Sequence, residues 1–311
     1  MRASPLLVLV LLGCTTAAPP IAREGYVDVE GGRIWYERMG DGPGTPLIVI
    51  HGGPGSSSFG LKGWAVLGDE RPVIRYDQLG AGKADHPTDT TLYTVARYVR
   101  ELQALRDTLG LDEVHLYGRS WGAMLLEAYM ATDPTGVRSV VLSSPLVTTA
   151  QWEADADSLI RLLPDSMQQA IATHEAAGTT DHPAYQAAME AYYDRHLRRT
   201  PPRSPADRDS ARAMSGSFVY GYMWGPSEFT ATGTLKTFDA TDALRNHIRV
   251  PALFVTGEFD EATPASTRAF SAMVPGAEFE VIPGAGHSTE NDNPDVLFRT
   301  VRDFLRRVEA R

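Results

Sequence analysis

The sequence predicts an α/β fold, with a mostly parallel sheet flanked by helices and one helical insertion. Three observations predict it. Short apolar, β-branched runs recur, and each ends in a loop of glycine and polar residues. Helix-periodic segments alternate with them, which is the pattern of strand–helix–strand crossovers in a covered parallel sheet. The alternation stops over residues 146–239 and then resumes. The chain has 311 residues with 43% hydrophobic content, enough for one large core. Its formal net charge of −10 argues against a nucleic-acid partner.

Taken in order, "YVDVEGGRIWYERMG" reads as two strands joined by a Gly-Gly turn. "TPLIVIHGGPG" is an apolar strand entering a glycine-rich loop, and "RPVIRYDQLGAGKA" repeats that form. "TVARYVRELQALRDTLG" has helical spacing and stops at Gly110. "EVHLYGRSWG" is a strand, "AMLLEAYMATDP" a helix stopped by Pro134, and "VRSVVLSSP" a further strand. In the insertion, "DSLIRLLPDSMQQAIATHEAAG" and "PAYQAAMEAYYDRHLRR" read as amphipathic helices. "TPPRSPADRDSARA" reads as a connection, and "GSFVYGYMWGPSEFTATG" has no clear assignment. The strand–loop form returns in "VPALFVTGEFDEATP" and "AEFEVIPGAGHSTE", and a helix, "PDVLFRTVRDFLRRVEA", closes the pattern. The expected organisation is a core of residues 25–145 and 240–311, with residues 146–239 forming a cap over the carboxyl edge of the sheet, where open α/β sheets bind ligands.

The first residues stand apart. "MRASPLLVLVLLGC" carries Arg2, then an apolar run too short to span a bilayer, then Gly13 and Cys14. These flanks predict a secretory signal over residues 1–13. "LLGC" resembles the lipobox of bacterial lipoproteins, which implies cleavage before Cys14 and its lipidation. Cys14 is the only cysteine, so no intrachain disulfide can form. Residues 14–24 then read as a tether. The expectation is an exported protein held on a bacterial membrane, facing the periplasm or exterior.

"GRSWG" carries the chemistry. A serine between two glycines, at a strand-to-helix junction, is the arrangement that presents a nucleophile at a sharp turn. Serine needs a base, and the base an orienting acid, in the chain order Ser, acid, His. Two strand-end loops follow Ser120: one offers Asp260, with Glu258 and Glu261 as competitors, and the other offers His287. Asp292 follows the histidine and breaks the order. Two N–H donors for an oxyanion are expected from Trp121, the residue after the nucleophile, and from "HGGPG". Pro54 has no N–H, so Gly52 or Gly53 must donate, with Gly53 favoured; His51 is read as ordering that loop.

Together "HGGPG", "YDQLGAG", "GRSWG", "MWGPSEFTATG", "GEFD" and "GAGHS" resemble the proline iminopeptidase branch of the α/β-hydrolase superfamily, from about Gly25 to the C-terminus. The resemblance implies a Ser120–Asp260–His287 triad working without metal or cofactor. It implies a serine aminopeptidase that releases an N-terminal residue, often proline, from short peptides. Some relatives are amino-acid amidases, and an esterase on the same scaffold is the alternative. It assigns the substrate's free α-amine to the acid of the Gly-Pro-x-Glu-Phe segment, here Glu228. Some relatives carry a second amine-binding acid after a His-Leu pair; here His196-Leu197 is followed by "RRTPPRSP", with Glu190 and Asp194 as the nearest alternatives. Lys83 stands where relatives usually have serine. Trp121, Tyr192 and Tyr193 are expected to line the substrate pocket. The sequence leaves oligomeric state open.

Overall fold

The computed structural model describes residues 22–201 and 204–311. The signal, Cys14 and most of the tether lie outside the described residues. Eight strands form one sheet: β1 (Glu24–Val29), β2 (Gly32–Met39), β3 (Leu47–Ile50), β4 (Val73–Asp77), β5 (Val114–Arg119), β6 (Val137–Ser143), β7 (Ala252–Gly257) and β8 (Glu278–Ile282). The helices that follow β4 to β6 are α1 (Val95–Leu109), α2 (Trp121–Met130) and α3 (Thr149–Ile160). The insertion continues with α4 (Asp165–Ala177), α5 (Pro183–His196), α6 (Pro205–Ala213) and α7 (Ser217–Met223), and α8 (Thr241–Asn246) follows it. After β7 come α9 (Pro264–Ser271), α10 (Thr289–Asp292) and α11 (Pro294–Glu309).

The strand order is β1-β2-β4-β3-β5-β6-β7-β8. β1 and β2 pair antiparallel, as does β2 with β4; all other pairs are parallel. The chain leaves β3 for β4 on one side and returns to β5 on the other. The carboxyl ends of β3 and β5 therefore flank a topological switch point, where a crevice must open. The loop "HGGPG" and Ser120 emerge there together.

β3 to β7 are buried almost throughout because helices cover both faces of the sheet. α1 and α2 pack on one face, through Tyr98, Leu102, Leu105, Leu125 and Tyr129. α11 covers the other, with Leu297, Val301, Phe304 and Leu305 against Val49, Tyr117 and Val255. α1 is capped at both ends as its sequence suggests. The Thr94 side chain accepts from the Arg97 N–H, and Gly110 takes the left-handed conformation that ends the helix.

The insertion differs from its sequence reading at two places. Pro164 divides the first amphipathic stretch into α3 and α4, since its ring cannot continue a helix. The stretch read as a connection contains α6, which starts at Pro205, a residue well suited to a first helical turn. Backbone hydrogen bonds tie the insertion to the core. Gly216 N–H donates to Gly55 O (2.6 Å), and Gly82 N–H to Met214 O (2.9 Å). His287 N–H donates to His196 O (2.8 Å), and Ser288 N–H to Leu197 O (2.8 Å).

Candidate active site

Ser120 sits at φ 56°, ψ −124°, a conformation that costs energy for any residue with a side chain. The residues two positions to either side of it must be glycine for steric reasons. A Cβ on Gly118 would collide with the Gly122 carbonyl, and one on Gly122 with the Ile50 carbonyl. The turn is thus closed tightly against β3, and its tip carries the hydroxyl. Trp121 follows as the first residue of α2, so its N–H has no intrahelical acceptor and points out of the positive helix end.

Asp260 is buried in the loop after β7 and gathers five donors. Oδ1 accepts from His287 Nδ1 (2.8 Å) and Ala262 N–H (2.9 Å). Oδ2 accepts from Ser144 Oγ (2.6 Å), Gly257 N–H (3.0 Å) and Thr256 Oγ1 (3.1 Å). Burial pushes this carboxyl up, but His287 and these donors outweigh it and hold the pKa below the usual range. An ionised Asp260 only accepts, so His287 carries its proton on Nδ1 and keeps the Nε2 lone pair free. The competing acids have other positions. Glu258 accepts from Gly284 N–H at the surface. Glu261 stands 3.9 Å from His287 Nδ1, against 2.8 Å for Asp260. Asp292 accepts from the N–H groups of Gly286, Arg199 and Thr200, stapling the histidine loop to the cap.

Ser120, His287 and Glu228 line one cleft of ≈ 270 Å³, together with His51, Gly52, Gly53, Arg119 and Ser288. Gly52 lies against Ser120, where a Cβ would fall 3.7 Å from Oγ. His51 Nε2 accepts from the Gln78 N–H (3.1 Å), so its Nδ1–H donates to Gly52 O (2.9 Å). Burial lowers its pKa and keeps it neutral. With both nitrogens engaged His51 orders the loop and has no lone pair for base chemistry. Gln78 is a residue that sequence reading missed. Its Nε2 donates to His51 O (3.2 Å), and its Oε1 accepts from the Trp121 indole (2.8 Å). One side chain therefore braces both loops from which the oxyanion donors are expected.

Three expected pocket residues lie elsewhere. The Trp121 ring is buried in the core, edge-on to Tyr98 and held by Gln78. Tyr192 is enclosed by Phe229, His196 and Tyr193 inside the cap. The Tyr193 hydroxyl accepts from the Glu228 N–H (3.1 Å). It fixes that segment rather than the cleft wall. Lys83 turns away from the site, with Nζ over the Trp35 ring and 3.5 Å from Glu24.

Glu228 is held by its own backbone, since its carbonyl also accepts from the Trp152 indole (2.8 Å). Trp152 in turn stacks edge-on against the His287 ring. Burial raises the Glu228 carboxyl above its ordinary range, against the pull of His287, the Tyr220 hydroxyl and Arg119. The second acid near it is neither Glu190 nor Asp194. Both of those are exposed on the outer face of α5, and Glu190 pairs with Arg198 (2.7 Å). It is Glu261, fully buried, whose carboxyl is raised well above the usual range by burial and then by repulsion from Glu228 and Asp260. The Tyr192 hydroxyl faces the Glu261 carboxyl, and the Tyr220 hydroxyl faces that of Glu228. The sequence signal for Glu261 was only a second acid directly after Asp260.

Comparison with known proteins follows the geometry. Residues 45–293 match the family described as alpha/beta hydrolase fold. A proline iminopeptidase of Heyndrickxia coagulans is 42% identical over 286 residues, covering 92% of this chain and 99% of that protein. One from Lactobacillus delbrueckii subsp. lactis is 38% identical, covering 78% of this chain and 84% of that protein. Among solved structures, VinJ superposes with a TM-score of 0.87 at 34% identity, covering 93% of this chain and all of that one. The proline iminopeptidase of Mycobacterium smegmatis superposes with a TM-score of 0.85 at 32% identity, covering 92% and 99%. An esterase from Exiguobacterium antarcticum, at 18% identity and a TM-score of 0.67, shares the fold alone. Through its sheet order, its serine turn and relatives aligned over nearly their whole length, this chain belongs to the proline iminopeptidase family of α/β hydrolases.

Proposed function

We propose that this protein is a serine aminopeptidase that releases an N-terminal residue, proline foremost, from short peptides. The observation that carries the reading is the Glu228 carboxyl, which lines the cleft with Ser120 and His287 and has a second acid, Glu261, close by. Two acids brought together repel one another, so the pair calls for a cationic ligand with several donors. A substrate α-ammonium supplies three. It is mostly protonated at neutral pH, and Glu228 and Glu261 receive it, which fixes the start of the chain against Ser120.

The reaction then follows from the arrangement. His287 Nε2 takes the proton of Ser120 as Oγ bonds to the carbonyl carbon. The negative oxygen is received by the N–H groups of Trp121 and Gly53. His287 returns the proton to the leaving nitrogen as the C–N bond breaks, leaving an acyl-enzyme. Water, deprotonated by the same nitrogen, releases the acyl group and restores Ser120. Asp260 stays ionised throughout and stabilises the imidazolium. A panel of fluorogenic N-terminal amino-acid amides tests the reading. The proline amide is expected to be turned over fastest, and its N-acetylated form at least tenfold more slowly. Equal turnover of blocked and free amines would replace this reading with an esterase or a general amidase.

We further infer export and lipid anchoring at Cys14, supported by "LLGC" and by the lack of any other cysteine. Among the described residues no helix is long and apolar enough to cross a membrane. Expressed in a bacterium with a lipoprotein pathway, the protein is expected in the membrane fraction with incorporated palmitate. Cys14→Ser should remove both, and unlabelled wild-type protein in the soluble fraction would refute the anchor.

A further inference from the structure

Arg119 directly precedes Ser120. Its side chain runs from the end of β5 toward the loop that carries His287. Nη2 donates to Ser288 Oγ (3.2 Å), and Nε lies 3.5 Å from Glu290 Oε2. Glu290 is itself fixed by the Tyr117 hydroxyl (2.6 Å). The guanidinium is thus held in place from one side. Its side chain keeps 20% of its exposure, it lines the cleft with Ser120, His287 and Ser288, and Nη1 has no hydrogen-bond partner among the described residues.

We propose that Arg119 binds the free C-terminal carboxylate of the substrate, which makes dipeptides the preferred peptides of this enzyme. The inference rests on the aminopeptidase reading and extends it to the leaving group. His287 must hand its proton to the departing nitrogen, so the leaving residue lies on the His287 side of Ser120, and that is where Arg119 and Ser288 stand. The amine is received by the acids at the cap. A cleft with carboxylates at one site and a guanidinium at another matches a zwitterion, and a dipeptide is a zwitterion with one amide between its charges. The two sites are close enough for Arg119 to pull on the Glu228 carboxyl. A volume of ≈ 270 Å³ lies at the small end for ligand sites and suits two residues better than a long chain. Arginine also fits the role, since its planar fork meets a carboxylate with two parallel donors and Glu290 has already oriented it.

The bland account is that Arg119 only neutralises Glu290. A ratio separates the two. kcat/KM is measured for Pro-Ala and for Pro-Ala amide, which differ only in the terminal charge, in wild type, Arg119→Gln and Arg119→Lys. The wild type is expected to favour the free carboxylate about tenfold, the size of one charge-assisted contact. Arg119→Gln should bring the ratio near one, and Arg119→Lys should retain part of it. Both rates come from the same variant, so lost or misfolded protein cancels. A wild-type ratio near one, or a ratio that Arg119→Gln leaves unchanged, overturns the assignment. If the wild type hydrolyses neither peptide nor proline arylamide, the aminopeptidase reading falls as well. Turnover of the arylamide with a flat peptide ratio removes Arg119 alone.

Discussion

The two walls of the cleft are finished to different degrees. On the sheet side every acceptor of Asp260 is filled, His51 uses both nitrogens, and Gln78 joins the two loops that flank Ser120. On the cap side Glu228 and Glu261 stand as two acids whose charges repel, with only the Tyr220 and Tyr192 hydroxyls turned toward them. The difference separates chemistry from recognition. Groups that act on any carbonyl are set before the substrate arrives, which is how preorganised sites avoid reorganisation during reaction. Groups that select the substrate repel one another until the substrate brings a positive charge.

This contrast predicts which changes act on all substrates and which on free amines only. The largest effect is expected for Ser120→Ala, which should lower kcat on a proline arylamide and on a small neutral ester alike, by about 10⁴–10⁶-fold, and abolish fluorophosphonate labelling. Retention of most activity would place the nucleophile elsewhere. Glu228→Gln comes next. Removing a charge-assisted contact of about 1.5–3 kcal/mol should reduce the arylamide-to-ester ratio of kcat/KM by about ten- to a hundredfold. A pH profile sharpens the point. Glu228 recognises an ammonium only when ionised, and burial raises its pKa. Recognition is therefore lost as pH falls through that raised value. The arylamide should show this acid limb, the ester should lack it, and Glu228→Gln should erase it.

Gln78→Leu tests the sheet side at lower amplitude. Loosening both oxyanion loops should lower kcat on arylamide and ester together, by about tenfold, with KM nearly constant. A loss confined to the arylamide would move Gln78 to the recognition wall. The smallest effect is expected for Glu261→Gln, a severalfold rise in arylamide KM, because burial and the neighbouring acids already disfavour its charge and glutamine copies its shape. Its signature is calorimetric. Binding of pyrrolidinium to the wild type should release a proton from Glu261, seen as a buffer-dependent heat, and the variant should not release it.

The finished wall was also the legible one. Ser120, Asp260 and His287 each follow a short apolar strand, and their order along the chain is set by the sheet. The glycine pair around Ser120 announces a backbone contact that no side chain survives. The cap was harder to read. Its aromatics have helical spacing, and that spacing does not tell a cleft from a core, so Tyr192 reads equally well as either. Trp121 follows the nucleophile, but its ring is drawn into the core by Tyr98 and Gln78, two contacts that are remote in sequence. Glu261 was hidden for a geometric reason. Asp260 and Glu261 are neighbours, yet one is taken by His287 and the other is left beside the cap, a division that depends on the turn after β7. α6 was hidden by its prolines, which mark a helix start as readily as a linker.

The histidine loop hangs from the cap by two main-chain bonds, from His287 to His196 and from Ser288 to Leu197. Cap and catalyst are therefore not separable parts. A chimera that grafts a foreign cap between β6 and β7 would inherit a new pocket and lose the suspension of its general base. Substrate range in this architecture can be retuned residue by residue within the existing cap, whereas wholesale exchange must first rebuild the end of α5 as a hanger for His287.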